Sequence, residues 1–160
     1  MHQYLNMPKK IFVFFFLALS HISFSQYYID LSKAKSREKL EKIKSKSKVN
    51  IIINETANSL AYFIRDSSSQ NLDYFLYFDK NGKCNKEVVT LSCDSCYTIF
   101  LKDILSNNFM RWTQVDSTTF LARFPYRLIL NINPPVPFSY EITRSEMDGE
   151  TYRKKVRQAL

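Results

Sequence analysis

Histidine and glycine are nearly missing from this 160-residue chain, with two of each. Both histidines, His2 and His21, fall in a segment that reads as a cleavable leader, so the remainder has none. That removes the usual general base of catalytic triads and dyads, and the commonest metal ligand. The glycines, Gly82 and Gly149, lie far apart. A phosphate-cradling loop or dinucleotide fingerprint needs several glycines within a few residues, because backbone amides must approach the ligand closely. The common nucleotide-binding motifs are therefore excluded. Cysteine is also scarce: Cys84, Cys93 and Cys96 are the whole supply, and a zinc site built on them lacks a fourth ligand. Carboxylates such as Asp73, Asp79, Asp94, Asp103 and Asp116 are scattered and read as turn and surface residues, not as a glycosidase-like pair. No metal, cofactor or catalytic residue is expected, and the chain reads as a non-enzyme.

What is present begins with "MHQYLNMPKKIFVFFFLALSHISFSQ". Lys9 and Lys10 precede an unbroken apolar run from Ile11 to Leu19, and Ser23 and Ser25 supply small residues at the positions a signal peptidase reads. The run is well short of the roughly 20 residues that span a bilayer. The expectation is a signal peptide over residues 1–25, cleavage before Gln26, and a periplasmic or extracellular protein. The remaining chain is one domain's worth, long enough to bury a core without dense disulfides.

The formal charge of +8 is unevenly distributed. Residues 32–48 read "SKAKSREKLEKIKSKSK", with Lys33, Lys35, Arg37, Lys39, Lys42, Lys44, Lys46 and Lys48 set against Glu38 and Glu41. From Val49 onward 13 basic residues face 12 acidic ones, which argues against a nucleic-acid-binding body. Residues 26–48 are therefore expected to form a basic leader or solvated helix. Its apolar residues do not hold one face, so it should contribute little to the fold, and its lysines are candidates for contact with an anionic surface.

Residues 49–160 read as a single α+β domain. "VNIIIN", "SLAYFIRD" and "LDYFLYF" are strand-like, rich in β-branched and aromatic residues, and "DKNGK" turns the last of them into "CNKEVVTL" through Gly82. A helical stripe of Tyr97, Phe100, Leu101, Ile104 and Leu105 follows. "FMRWTQV", "TFLAR", "YRLILNI" and "FSYEIT" then resume strand periodicity, with "NPPVP" as a stiff connector. Tyr152, Val156 and Leu160 mark a short C-terminal helix. The expected fold is a mainly antiparallel sheet, covered on one face by a central amphipathic helix, with no internal repeat.

Cys93 and Cys96 stand where strand gives way to helix, as a thioredoxin-like pair would. Asp94 between them disfavours a thiolate, and an antiparallel hairpin precedes them where a βαβ unit is wanted. A local Cys93–Cys96 structural disulfide with Cys84 left over is the economical reading; a thiol–disulfide redox protein is the alternative. Strand alternation cannot bury all of Tyr62, Phe63, Tyr74, Phe75, Tyr77 and Phe78 on one face. Phe75 and Tyr77 are therefore expected on the second face, as a sticky surface. The leading functional expectation is an exported domain that binds a protein or cell-envelope component. Adhesion to an envelope or membrane surface through the basic segment is the other alternative.

Overall fold

The first described helix, α1, is Lys33–Lys46, and four strands follow it: β1 (Asn50–Glu55), β2 (Ser59–Arg65), β3 (Asn71–Phe78) and β4 (Cys84–Leu91). A second helix, α2 (Asp94–Leu105), leads into β5 (Trp112–Gln114), β6 (Thr119–Ala122), β7 (Leu128–Ile132) and β8 (Ser139–Arg144), and α3 (Gly149–Gln158) ends the chain. This computed structural model describes residues 28–46, 50–65, 71–123, 127–132 and 136–160. The leader segment and Lys48 lie outside the described residues.

All eight strands form one antiparallel sheet in the order β1-β2-β3-β4-β8-β7-β6-β5. That order is symmetric about one junction: a helix and a four-strand meander, twice over, joined where β4 pairs with β8. The sequence shows no repeat because strand patterns share only their period of two, and different residues satisfy the same period. Architecture here repeats where residues do not.

The period of two also sorts the side chains. In register across β1, β2, β3 and β4, Ile51, Ile64, Leu72 and Leu91 stand opposite one another, and all are buried on the face that carries α1 and α2. Tyr62, Tyr74, Val89 and Tyr140 form the neighbouring row. The β3–β4 turn is closed by Asp79, whose Oδ1 accepts the amides of Asn81 (2.8 Å) and Lys83 (2.9 Å), while Gly82 takes φ 68°. Only glycine adopts that conformation without strain.

Three expectations need correction. α1 is not wholly solvated: Leu40 is 1% exposed and sits in the main core, with Ser36 buried beside it. Ile43, three residues on from Leu40, packs against the same core, so the helix contributes more to the fold than its broken apolar pattern suggests. Helix also covers both sheet faces. On the second face Tyr152 and Val156 of α3 pack with Leu121, Ile129 and Met147 in a separate small cluster. Finally, Leu160 does not join them and is 70% exposed, because α3 ends at Gln158.

Candidate functional site

The second face is finished over β6 and β7 and open over β1 to β4. One row across it runs Tyr77, Lys86, Thr143, Ile129, Leu121, Thr113 by register. Its far end lies under α3, whereas at its near end Tyr77 is 41% exposed. The next row sets Ala61, Phe75, Val88 and Glu141 side by side, and a third sets Ile52, Phe63, Asp73 and Thr90. Among the described residues no helix crosses these strands on this side.

The aromatics are held in fixed poses. Phe63 and Phe75 meet edge to face, with centroids 5.7 Å apart and planes at 86°, a favoured arrangement of ring quadrupoles. The Arg65 guanidinium lies 5.1 Å from the Phe63 centroid and is ion-paired with Asp73. Lys86 sits 5.7 Å over the Tyr77 ring and pairs with Glu141 at 2.6 Å. The charges thus lie across the aromatic rows and keep the exposed apolar surface broken. Phe75 and Tyr77 do fall on the second face; Phe75 is half-buried and Tyr77 exposed. Phe63, counted among the aromatics that cannot share one face, belongs to the same surface, and so do Ile52 and Val88, which escaped the sequence reading; the alternation that places Phe75 also places them once the register is known.

The basic helix is only partly available. Lys33 bonds the carbonyls of Thr56 and Ala57 and pairs with Glu55 at 2.9 Å. Arg37 reaches the same carboxylate at 2.7 Å, and together they hold Glu55 below its ordinary pKa, with the Lys33 hydrogen bond the larger cause. Lys39 stands 5.7 Å over the Tyr28 ring. Lys35, Lys42, Lys44 and Lys46 are exposed. Four of the eight basic candidates thus point to solvent, while three help to dock the helix.

Cys93 and Cys96 lie at disulfide distance, with Cα atoms 5.3 Å apart. Cys93 is the N-cap of α2, and its sulfur accepts the Cys96 amide at 3.1 Å. Cys96 is buried, and Cys84 is a separate buried thiol. Burial, reinforced by Glu87, pushes the Cys84 pKa far up, so it is a poor nucleophile.

Glu87 escaped the sequence reading altogether. It is 0% exposed and occupies an inward position of β4. Its carboxylate accepts the backbone amides of Tyr28 and Ile29, the latter at 2.9 Å, and the Tyr74 hydroxyl at 2.8 Å. Burial raises its pKa to about 7, opposed by those three hydrogen bonds and by Lys39. Burial and the Glu87 charge in turn push the Tyr74 phenol well above its usual range. The carboxylate fastens the segment ahead of α1 to the sheet, a strap completed by bonds between Asp30 and Cys84 and between Cys84 and Leu31. One signal was present: in "CNKEVVTL" a glutamate shares the parity of Val89 and Leu91, so strand alternation turns it inward.

Among the described residues, no cluster of histidine, cysteine, aspartate or glutamate could hold a metal ion, and no helix is long and apolar enough to cross a membrane. A shallow concavity of about 320 Å³ is lined by Glu150, Arg153, Lys154, Arg157 and Gln158. All five belong to one exposed helix surface, and it encloses no reaction space. Compared with models of protein families, with curated proteins and with solved structures, the chain matches none.

Proposed function

We propose that this protein is an exported, non-catalytic binding domain that engages a protein of the cell envelope through the open face of β1–β4. In this reading α2 is the central packing helix and α1 a basic helix that docks on the sheet. The observation that carries it is the contrast on the second face: α3 buries Leu121 and Ile129, whereas Phe63, Phe75 and Tyr77 stay uncovered by any described helix and are flanked by the pairs Arg65–Asp73 and Lys86–Glu141. Aromatic rings held rigid among charged groups suit a protein partner, since they offer contact area at small entropic cost. Export is supported by the leader pattern around Lys9, Lys10, Ser23 and Ser25.

Photo-crosslinking in the producing cells separates this from adhesion through the basic helix. A photoreactive residue at Tyr77 should give a discrete protein adduct, and one at exposed Glu41 of α1 should not. Phe75→Ser should abolish the Tyr77 adduct while the protein stays folded. Adducts at Glu41 alone would favour the basic surface, and none at Tyr77 would sink the face reading.

A further inference from the structure

Among the described residues the sheet has two free edges, and they are treated differently. β5 is three residues long, which leaves little backbone to template another strand. β1 is six residues, "NIIINE", and among the described residues it pairs with β2 alone. It contains no proline and no lysine, the usual devices that blunt an edge, and Ile52 at its centre is 44% exposed.

The sequence of this edge is self-complementary. Asn50-Ile51-Ile52-Ile53-Asn54 is a palindrome about Ile52. We propose that the β1 edge pairs with the β1 edge of a second copy of this chain, antiparallel, about a twofold axis through Ile52. Such an axis stands perpendicular to the sheet, keeps each face on its own side and so requires partners of equal parity. Ile52 then meets Ile52 of the second copy on the open face, Ile51 meets Ile53, and Asn50 meets Asn54.

Backbone geometry is compatible with this register. The Thr56 amide donates to Ser59 at 3.0 Å, so Thr56 points its backbone at β2. By the alternation of an antiparallel ladder, Asn54, Ile52 and Asn50 do the same. Ile51 and Ile53 therefore direct their N–H and C=O groups off the edge, and these are the residues the palindrome places opposite each other. Glu55, already held by Lys33 and Arg37, falls outside the paired five.

There is room for the helices. α1 rests against β2, and the two β2 strands would be three strand spacings apart, roughly 14 Å, against the 8–10 Å or so that packed helices need. Both helices are basic, so salt should favour the pair. A contact of five residues per copy belongs to the small, weak class of interfaces. The inference concerns the edge and stands apart from the proposal for the open face.

Sedimentation of the processed, exported chain across a roughly hundredfold concentration range should show reversible dimerisation. Ile52→Lys, which sets like charges opposite each other on an exposed position, should weaken it at least about tenfold with melting little changed. Ile52→Cys should give an oxidative dimer bridged at residue 52, because non-hydrogen-bonded partners sit about 4.5 Å apart at Cα. Asn54→Cys should not, since its two copies would be offset by four residues. A chain monomeric throughout, a dimer indifferent to Ile52→Lys, or crosslinking as efficient at Asn54 as at Ile52 would each overturn the proposal.

Discussion

The two meanders share a plan and differ in how their second faces end. Under α3, β6 and β7 present Leu121 and Ile129, aliphatic side chains with no polar edge, and the chain spends its last helix on them. The meander of β1–β4 presents Phe63, Phe75 and Tyr77, each with a guanidinium, an ammonium or a neighbouring ring against it. Aliphatic surface gains only by leaving water, so it calls for a cover. Aromatic rings can instead satisfy their faces with cations and their edges with one another and remain at the surface. The opposite, core-side face of the same meander is closed in a third way, by a polar fastening in which buried Glu87 holds the strap at Tyr28 and Ile29. Two halves with one topology thus assign different work to equivalent surfaces.

The sharpest way to break this contrast is to make the same substitution on both halves. Tyr152 is 3% exposed, and its hydroxyl reaches the carbonyls of Ala122 (2.9 Å) and Leu128 (2.6 Å), so it anchors α3 by packing and by hydrogen bond. Tyr152→Ala should cost about 3–5 kcal/mol, as for other large buried aromatics. Tyr77→Ala, on the open half, should cost under about 1 kcal/mol. Urea unfolding of both variants measures the difference. Equal costs would mean that the open face is as structural as the covered one.

The next effect tests the polar fastening through pH. Glu87 in the folded chain has its pKa pushed up to about 7, against an ordinary 4.5, so folding takes up a proton in between. Stability is then greatest below the ordinary value and declines as pH rises through the folded one, by up to about 3 kcal/mol in total. Asp79, Asp116 and Asp148 have pKa values lowered, chiefly by hydrogen bonds to their carboxylates. Their stabilisation is lost only as pH falls through those lowered values, below the Glu87 window. Unfolding free energies at pH 5 and 7.5 should therefore differ in favour of the lower pH, and Glu87→Gln should flatten the difference. A flat parent profile, or a slope that survives Glu87→Gln, would show that the carboxylate is not buried as described.

How much of this could be read beforehand depended on how local the signal was. The β3–β4 hairpin was legible because Leu72, Tyr74, Leu76 and Phe78 alternate cleanly and Asp79, Asn81 and Gly82 carry the turn chemistry. All four apolar residues are buried. The docking of α1 was not legible, since it rests on Leu40 and Ile43 in an otherwise polar helix, on Lys39 over the Tyr28 ring, and on ion pairs to Glu55 of a distant strand. The covering of Leu121 and Ile129 by α3 needed strand order, which periodicity does not contain. Phe75 and Tyr77 could be assigned to the second face from parity alone. That no described helix covers this face where they stand depends on where α3 lands, a tertiary fact.

The smallest effect concerns the joint between the halves. Cys93 and Cys96 lie just after β4 and at the start of α2, where one meander passes to the other. Bonded, they close a very short loop, so the loss of chain entropy in the unfolded state is small and the bond should contribute about 1–2 kcal/mol, near the low end of what disulfides give. Cys93 also caps α2 by accepting the Cys96 amide, a role that serine fills as well or better, which further limits the loss. Replacing both with serine should therefore lower the urea midpoint modestly and leave the Tyr77 crosslink intact. A thiol–disulfide enzyme would behave differently. Its pair would be reduced by mild thiols, its turnover would vanish with the substitution, and stability need not move. Reductase turnover by the parent protein, together with an unchanged midpoint in the double variant, would move the function of the molecule from the open face to the joint.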